Sequence, residues 1–402
     1  MHDHASRQQH NMSQTVIPRA IDLHRITRLM EIFPVTAILG ARQCGKTTMA
    51  GFFHADHLFD LENPRDMARL ETPQLALEEL TGLVVIDEIQ RLPDLFPLLR
   101  HLVDTIPDQK YLILGSASRE LLRQGSESLA GRMGLYHLGC LHTLDVTSSS
   151  DLWLRGGYPR ALLAKDDFSA FLWLENYITA FLEQDIPALG IVIPARTLRR
   201  FWSMLSHYHG QLLNYSELST SFGISDMTAR KYLDILAGTF MVRTLQPWHP
   251  NVSKRLVKRP KLYIRDSGLF HSLMGIDSMD TLLGHPKLGA SWEGFALENV
   301  CFCLGKHDQE LAFYRTHGGA ELDLFWKHGG RNWGVEFKFA DAPRKTKSMD
   351  VVRKDLDLAH LWVVYPGRDR YRLSEDITVL PLRDIRAGWE YSIVHTLCPA
   401  KG

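Results

Sequence analysis

The run Gly40-Ala41-Arg42-Gln43-Cys44-Gly45-Lys46-Thr47-Thr48 separates two glycines by four residues and follows them with a lysine and a hydroxyl. It closes the apolar stretch Val35-Thr36-Ala37-Ile38-Leu39 and opens a helix-like segment, which is the strand–loop–helix setting of a phosphate-binding P-loop. Backbone N–H groups converging in such a loop, together with a helix N-terminus, make a seat for a polyphosphate anion. Gly40, Arg42, Gln43, Cys44, Gly45 and Thr48 would line it. Lys46 would reach the β- and γ-phosphates of ATP, and Thr47 would offer its hydroxyl to Mg²⁺.

Hydrolysis needs carboxylates as well. Leu83-Val84-Val85-Ile86 reads as a buried strand ending in Asp87-Glu88. Asp87 would hold Mg²⁺ through water, and Glu88 would polarise the attacking water. A further strand, Tyr111-Leu112-Ile113-Leu114, runs into Gly115-Ser116-Ala117-Ser118; Ser116 is the first choice and Ser118 the second for a residue that orients that water. Arg132, in Ser128-Leu129-Ala130-Gly131-Arg132, follows the sensor strand. At that place ring-forming ATPases present an arginine finger to the neighbouring subunit. Gly156-Gly157-Tyr158-Pro159-Arg160 signals a tight turn that could close over base and ribose, with Arg160 either a second sensor or a plain loop residue.

These groups need elements to position them. With 402 residues the chain exceeds one hydrophobic core. Residues 1–16, rich in polar side chains, read as a disordered tail. From 17 to 150 apolar strands alternate with helices, with strands expected at 35–39, 57–61, 83–87, 111–115 and 134–139. Residues 151–195 turn helical and read as a lid. Residues 196–250 carry a winged helix-turn-helix: a helix over 198–208, a second over 215–222, a turn at Gly223-Ile224-Ser225 with Ser225 as N-cap, and a third over 226–237. Met227, Leu233 and Leu236 are expected to face inward, and Thr228, Arg230 and Lys231 outward toward DNA. The segment Lys254-Arg255-Leu256-Val257-Lys258-Arg259-Pro260-Lys261 concentrates five cations, which suits DNA phosphates or a solvated linker.

Residues 251–402 hold a second set of carboxylates. Glu321-Leu322-Asp323 lies on one strand, and Glu336-Phe337-Lys338 on the next. Alternation puts Glu336 and Lys338 on one face. Asp323 and Glu336 could share a hard divalent cation while Lys338 stabilises an attacking hydroxide. Glu298, on the helix containing Trp292 to Asn299, is the candidate for a further carboxylate. Cleavage and DNA-binding scaffold remain two open uses of this arrangement.

Lys and Arg total 46, matched by 46 Asp and Glu, so any basic surface is local. Five cysteines form no zinc framework and fit a reducing cytoplasm. No apolar run is long enough to span a bilayer.

The motifs Gly40 to Thr48, Ile86 to Gln90, Gly115-Ser116, Ser128 to Arg132, Gly156 to Pro159, Pro260 to Tyr263, Glu321-x-Asp323 and Glu336-x-Lys338 run through nearly the whole chain. On them it resembles AAA-type ATP-binding proteins with a C-terminal domain of unknown function related to PD-(D/E)xK nucleases. The resemblance implies an α/β fold: a P-loop AAA+ domain with a helical lid, a winged helix-turn-helix, and a C-terminal α/β PD-(D/E)xK nuclease-like domain similar to Holliday-junction resolvases. It also implies ring assembly as a hexamer. The nuclease motif usually opens with Pro-Asp, and Glu321-Leu322-Asp323 stands in its place here. The activity expected is a DNA-dependent ATPase acting on branched or duplex DNA, by remodelling or translocation. The alternatives are a nucleotide-gated switch that recruits a protein partner, and an ATP-controlled metal-dependent nuclease.

Overall fold

The computed structural model describes residues 16–116, 127–249, 257–386 and 389. Five short strands form the first sheet: β1 (Val35–Gly40), β2 (His57–Asp60), β3 (Gly82–Asp87), β4 (Gln109–Ser116) and β5 (Met133–His137). All pair in parallel, in the order β2-β3-β4-β1-β5. Each expected strand is present within two residues of its predicted ends. Strand β4 lies between β1 and β3, so the loops after these three strands open side by side at the C-terminal edge of the sheet.

Both faces of this sheet are covered, which is why its strands read as nearly continuous apolar runs. Ile38, Val85, Leu112 and Leu114 pack on one side with Ile26 of helix Ala20–Ile32 and Met49 of helix Lys46–Gly51. Ala37, Leu39, Val84, Ile86 and Ile113 pack on the other with Leu95, Phe96, Leu99 and Leu102 of helix Leu95–Thr105. Leu99 is fully buried, so truncating it to Ala would cost about 2–5 kcal/mol.

Helices Ser149–Arg155, Pro159–Leu162 and Asp167–Ala180 follow, the last capped by the Asp166 side chain. A π-helical turn, Phe181–Asp185, continues it. Next come helices Ala195–His207, Tyr215–Phe222 and Asp226–Gly238, with β6 (Gln211–Leu212), β7 (Val242–Pro247) and β8 (Lys261–Ile264). Gly223 ends the second helix with φ +64°, and the Ser225 hydroxyl accepts from Thr228 N at 3.1 Å. Leu233 and Leu236 are buried as expected, but Met227 is 79% exposed. Ala229, Leu233 and Leu236 form the buried face of its helix, and Met227, two residues before Ala229, is turned about 200° away from it.

Strand β8 pairs antiparallel with β6 and β7, so a boundary drawn at residue 250 passes between strands of one sheet. That sheet continues. Strand β7 also pairs in parallel with β9 (Leu311–Arg315), which leads to β10 (Glu321–His328), β11 (Arg331–Phe337), β12 (Leu358–Tyr365), β14 (Ile377–Pro381) and the edge strand β13 (Tyr371–Ser374). Helix Leu288–Leu304 covers one face, over Trp326, Trp333 and Trp362. The Trp362 ring stacks on Trp326 and Trp333 at centroid distances of 6.0 and 5.5 Å. Helix Lys347–Asp355 covers the other face through Met349 and Val352. Among the described residues no helix is long and apolar enough to cross a membrane.

Candidate functional site

The P-loop is shaped by backbone that side chains disfavour. Gln43 has φ +61° and Gly45 φ +102°, the latter a value suited to glycine. A Cβ on Gly40 would come within 2.3 Å of the Leu138 carbonyl, so the loop after β1 needs a glycine there to pass the end of β5. Helix Lys46–Gly51 begins directly after the loop. Lys46 is buried, and its ammonium donates to the carbonyls of Gly40 (3.2 Å) and Ala41 (3.0 Å). Thr47 Oγ1 donates to Asp87 Oδ2 at 2.6 Å, so the hydroxyl and the acid from β3 meet at one point.

Glu88 follows Asp87 with φ +58°, an uncommon backbone for a non-glycine residue. Its carboxylate accepts from the Gln90 amide. Burial pushes the Glu88 pKa up, and the Gln90 hydrogen bond and the Lys46 charge pull it back. Ser116 ends β4 in register with Gly40, beside the P-loop. Ser118 lies outside the described residues. Arg42 points away from the loop to Asp185 of the π-helical turn and to Glu62 (3.6 Å), and Tyr177 donates to the Arg42 carbonyl at 3.2 Å. The P-loop is thereby tied to the helical lid.

Arg132 is elsewhere. Its carbonyl accepts from Val35 N, at the start of β1, so it stands at the edge of the sheet opposite the P-loop. Its guanidinium forms two hydrogen bonds with Asp104, at 2.6 and 2.8 Å. It cannot reach its own chain's P-loop from there.

A cavity of about 670 Å³ opens next to the P-loop, lined among others by Ile17, Gly45, Thr48, Phe52, Pro159 and Trp173. The Pro159-Arg160 turn does reach the site, and Arg160 is also on this wall. Arg19, which the sequence did not single out, donates to the carbonyls of Cys44 (3.3 Å), Gly139 (2.9 Å) and Cys140 (3.2 Å), and pairs with Asp22. Its guanidinium fixes the back of the P-loop to the segment after β5. A basic residue directly before a helix carries no local signal of this.

The second cluster lies in the larger sheet. Asp323 Oδ2 accepts from Phe337 N at 3.0 Å, and Glu336 Oε1 accepts from Lys338 Nζ at 2.6 Å. Glu298 is not there. It chelates Arg243 at 2.6 and 2.9 Å, with Arg265 beyond. Glu293 takes the place assigned to it, because five residues along a helix rotate a side chain by more than a third of a turn, away from the sheet face that Glu293 meets. Glu293 accepts from Tyr263 Oη (2.6 Å) and from Lys261 Nζ (3.2 Å). Lys261 Nζ also lies 3.0 Å from Asp323 Oδ1 and contacts Glu321. Burial raises the pKa of both Glu336 and Glu293, reinforced by the Asp323 charge. For Lys261, burial works to remove the proton, but the surrounding acidic groups hold it in place.

Of the residues expected to face DNA, Arg230 and Lys231 are exposed and Thr228 is half-buried, its hydroxyl 2.9 Å from that of Ser225. The Arg230 guanidinium lies over the Tyr215 ring at 3.9 Å. Lys258 and Arg259 are exposed. Lys254 and Arg255 lie outside the described residues.

Residues 33–145 match the family described as AAA domain, residues 147–280 a domain of unknown function (DUF8612), and residues 288–385 another (DUF4143). The chain is 46% identical over 380 residues to the uncharacterized protein Rv2008c of Mycobacterium tuberculosis, covering 93% of this chain and 86% of the relative. The uncharacterized protein Mb2031c of Mycobacterium bovis matches to the same extent. Among solved structures, the Walker-type ATPase PABY2304 of Pyrococcus abyssi is 15% identical with a TM-score of 0.43, over 64% of this chain and 96% of that one. With its P-loop, its Asp87-Glu88 pair and these relatives, the chain belongs to the family of AAA-type ATP-binding proteins that carry a C-terminal DUF4143 domain.

Proposed function

We propose that this protein hydrolyses ATP with Mg²⁺ and couples the cycle to DNA. The contact between Thr47 Oγ1 and Asp87 Oδ2, with Lys46 beside it, carries the ATPase reading. A hydroxyl and a carboxylate converging beside a phosphate-binding loop make an all-oxygen donor set, which suits Mg²⁺. Thr47 and Asp87 would hold the ion, and Mg²⁺ would neutralise charge on the phosphates. Lys46 would leave the loop carbonyls for the phosphate oxygens. Glu88 would accept the proton of the attacking water, oriented by Ser116. The cavity lined by Ile17, Phe52, Pro159 and Trp173 offers apolar walls for a purine base, next to Gly45 and Thr48.

Arg132 would act on the ATP of a neighbouring subunit, in a ring of six. Its distance from its own P-loop supports action in trans. For DNA, Arg230 and Lys231 on the exposed side of helix Asp226–Gly238 and the pair Lys258-Arg259 would meet phosphates, with Lys254 and Arg255 continuing the cationic segment. Branched DNA such as a four-way junction, or duplex DNA, is the substrate we favour for remodelling or translocation.

The test is an ATPase and binding panel over single-stranded, duplex, forked and four-way DNA, with strand integrity followed in the same tubes. Stimulation by at least one form is expected, with loss of affinity in Arg230→Ala/Lys231→Ala and a weaker salt dependence of binding. Turnover unaffected by every DNA form would reject the DNA coupling. A nucleotide-gated switch that recruits a protein partner is the second reading, favoured by the Arg42–Asp185 tie between P-loop and lid. Slow turnover without DNA affinity, and partner capture only with ATP, would favour it.

A further inference from the structure

The nuclease-like motif implies a divalent metal between Asp323 and Glu336, and the side chains around these two acids do not fit one. An ammonium group has three N–H donors and no acceptor. Lys261 Nζ directs them at three carboxylates: Asp323 Oδ1 at 3.0 Å, Glu293 Oε1 at 3.2 Å, and Glu321. The residue is 1% exposed. Other oxygens of the cluster are engaged as well. Asp323 Oδ2 takes Phe337 N, Glu336 Oε1 takes Lys338 Nζ, Glu321 Oε2 takes Arg315 at 3.1 Å, and Tyr263 Oη shares Glu293 Oε1.

A hard divalent ion would have to sit about 2.0–2.6 Å from the Asp323 oxygens. On the Oδ1 side that volume holds the Lys261 ammonium, and two positive centres within one buried cage repel strongly. The Lys261 backbone is also held on both sides. Strand β8, which carries it, is hydrogen-bonded to β6 on one side and β7 on the other. With Lys261, Lys338 and Arg315 against Glu293, Glu321, Asp323 and Glu336, three cations already face four carboxylates.

We propose that Lys261 is the built-in cation of this cluster, so that the C-terminal site takes no divalent metal and cuts no nucleic acid. Its side chain instead pins the wing strand β8 to helix Leu288–Leu304 and to β10. This fixes the nuclease-like fold to the winged helix just beyond the exposed pair Lys258-Arg259. The ATP-controlled nuclease among the sequence-based alternatives is thereby set aside.

Mn²⁺ binding to the nucleotide-free full chain, followed by the loss of free-Mn²⁺ paramagnetic resonance, tests this without involving the ATPase site's nucleotide. Wild type and Asp323→Asn are expected to give the same isotherm. Lys261→Met is expected to gain one Mn²⁺ site, with affinity up by roughly 100-fold, well within the range that carboxylate number and rigidity span at oxygen-ligand sites. Adding Asp323→Asn to Lys261→Met should remove it. A wild-type Mn²⁺ site lost in Asp323→Asn would overturn the proposal. So would a folded Lys261→Met that gains no Mn²⁺, or Mn²⁺-dependent DNA cleavage lost in Lys338→Ala. If Lys261→Met fails to fold, the comparison of wild type with Asp323→Asn decides alone.

Discussion

Glu88 combines a left-handed backbone, a raised pKa and a hydrogen bond from Gln90, all within one residue of the acid that meets Thr47. Replacing it by Gln keeps the shape and removes the carboxylate we propose as the base. Turnover should fall by about 10²–10⁴-fold while ATP still binds, as read by steady-state ATPase and nucleotide-retention assays. Because burial raises its pKa, Glu88 keeps its proton to a higher pH than an ordinary glutamate. Wild-type turnover should therefore rise with pH through an inflection above the usual value of about 4.3. The sign for stability is opposite. In the window between the unfolded and folded pKa the folded state binds more protons, so the Glu88 contribution to stability falls as pH rises. Motif spacing made Lys46, Thr47, Asp87 and Glu88 legible in the sequence, since a strand end and a loop fix all four locally. It could not choose Glu293 over Glu298, because helical phase against the sheet is set by packing. Nor did it single out Lys261 as a partner of the carboxylates, since 62 residues separate it from Asp323.

Elements position these groups through a few close backbone approaches. Gly40→Ala would drive a Cβ to 2.3 Å from the Leu138 carbonyl, separating β1 from the end of β5 at the mouth of the P-loop. ATP affinity should drop by at least about tenfold, equal to roughly 1.4 kcal/mol, in a calorimetric titration. Asp266 caps helix Ser267–Met274 through Leu269 N at 2.9 Å and also accepts from Gly157 N at 2.7 Å, so one carboxylate joins the turn after the first lid helix to the helix that follows β8. Asp266→Ala orphans both buried donors, at about 1–3 kcal/mol each, to be measured by denaturant unfolding. Apolar periodicity located the strands of the parallel sheet and the helix Tyr215–Phe222 because each is a local pattern. The pairing of β8 with β6 was not legible, since it is made by chain segments about 50 residues apart.

At the scale of the whole molecule, the two sheets divide the labour. The parallel sheet carries the P-loop and the Asp87-Glu88 pair, and the nine-stranded sheet joins the strands beside helix Asp226–Gly238 to a C-terminal layer whose carboxylates are met by lysines. Arg132 lies at the end of the parallel sheet opposite the P-loop, and the role we propose for it requires a neighbouring subunit. Arg132→Ala should lower turnover by about 10³-fold or more while leaving ATP affinity unchanged, and wild-type specific activity should rise with protein concentration. All of this depends on a triphosphate held by Lys46, Thr47 and Asp87. Isothermal titration of the purified full chain with ATP and Mg²⁺, beside Lys46→Ala, measures it most directly. Saturable binding by wild type, weakened about 10–100-fold in Lys46→Ala as expected for the loss of a charge-assisted hydrogen bond, is the predicted result. Binding that is absent in wild type, or identical in the two proteins, would contradict it.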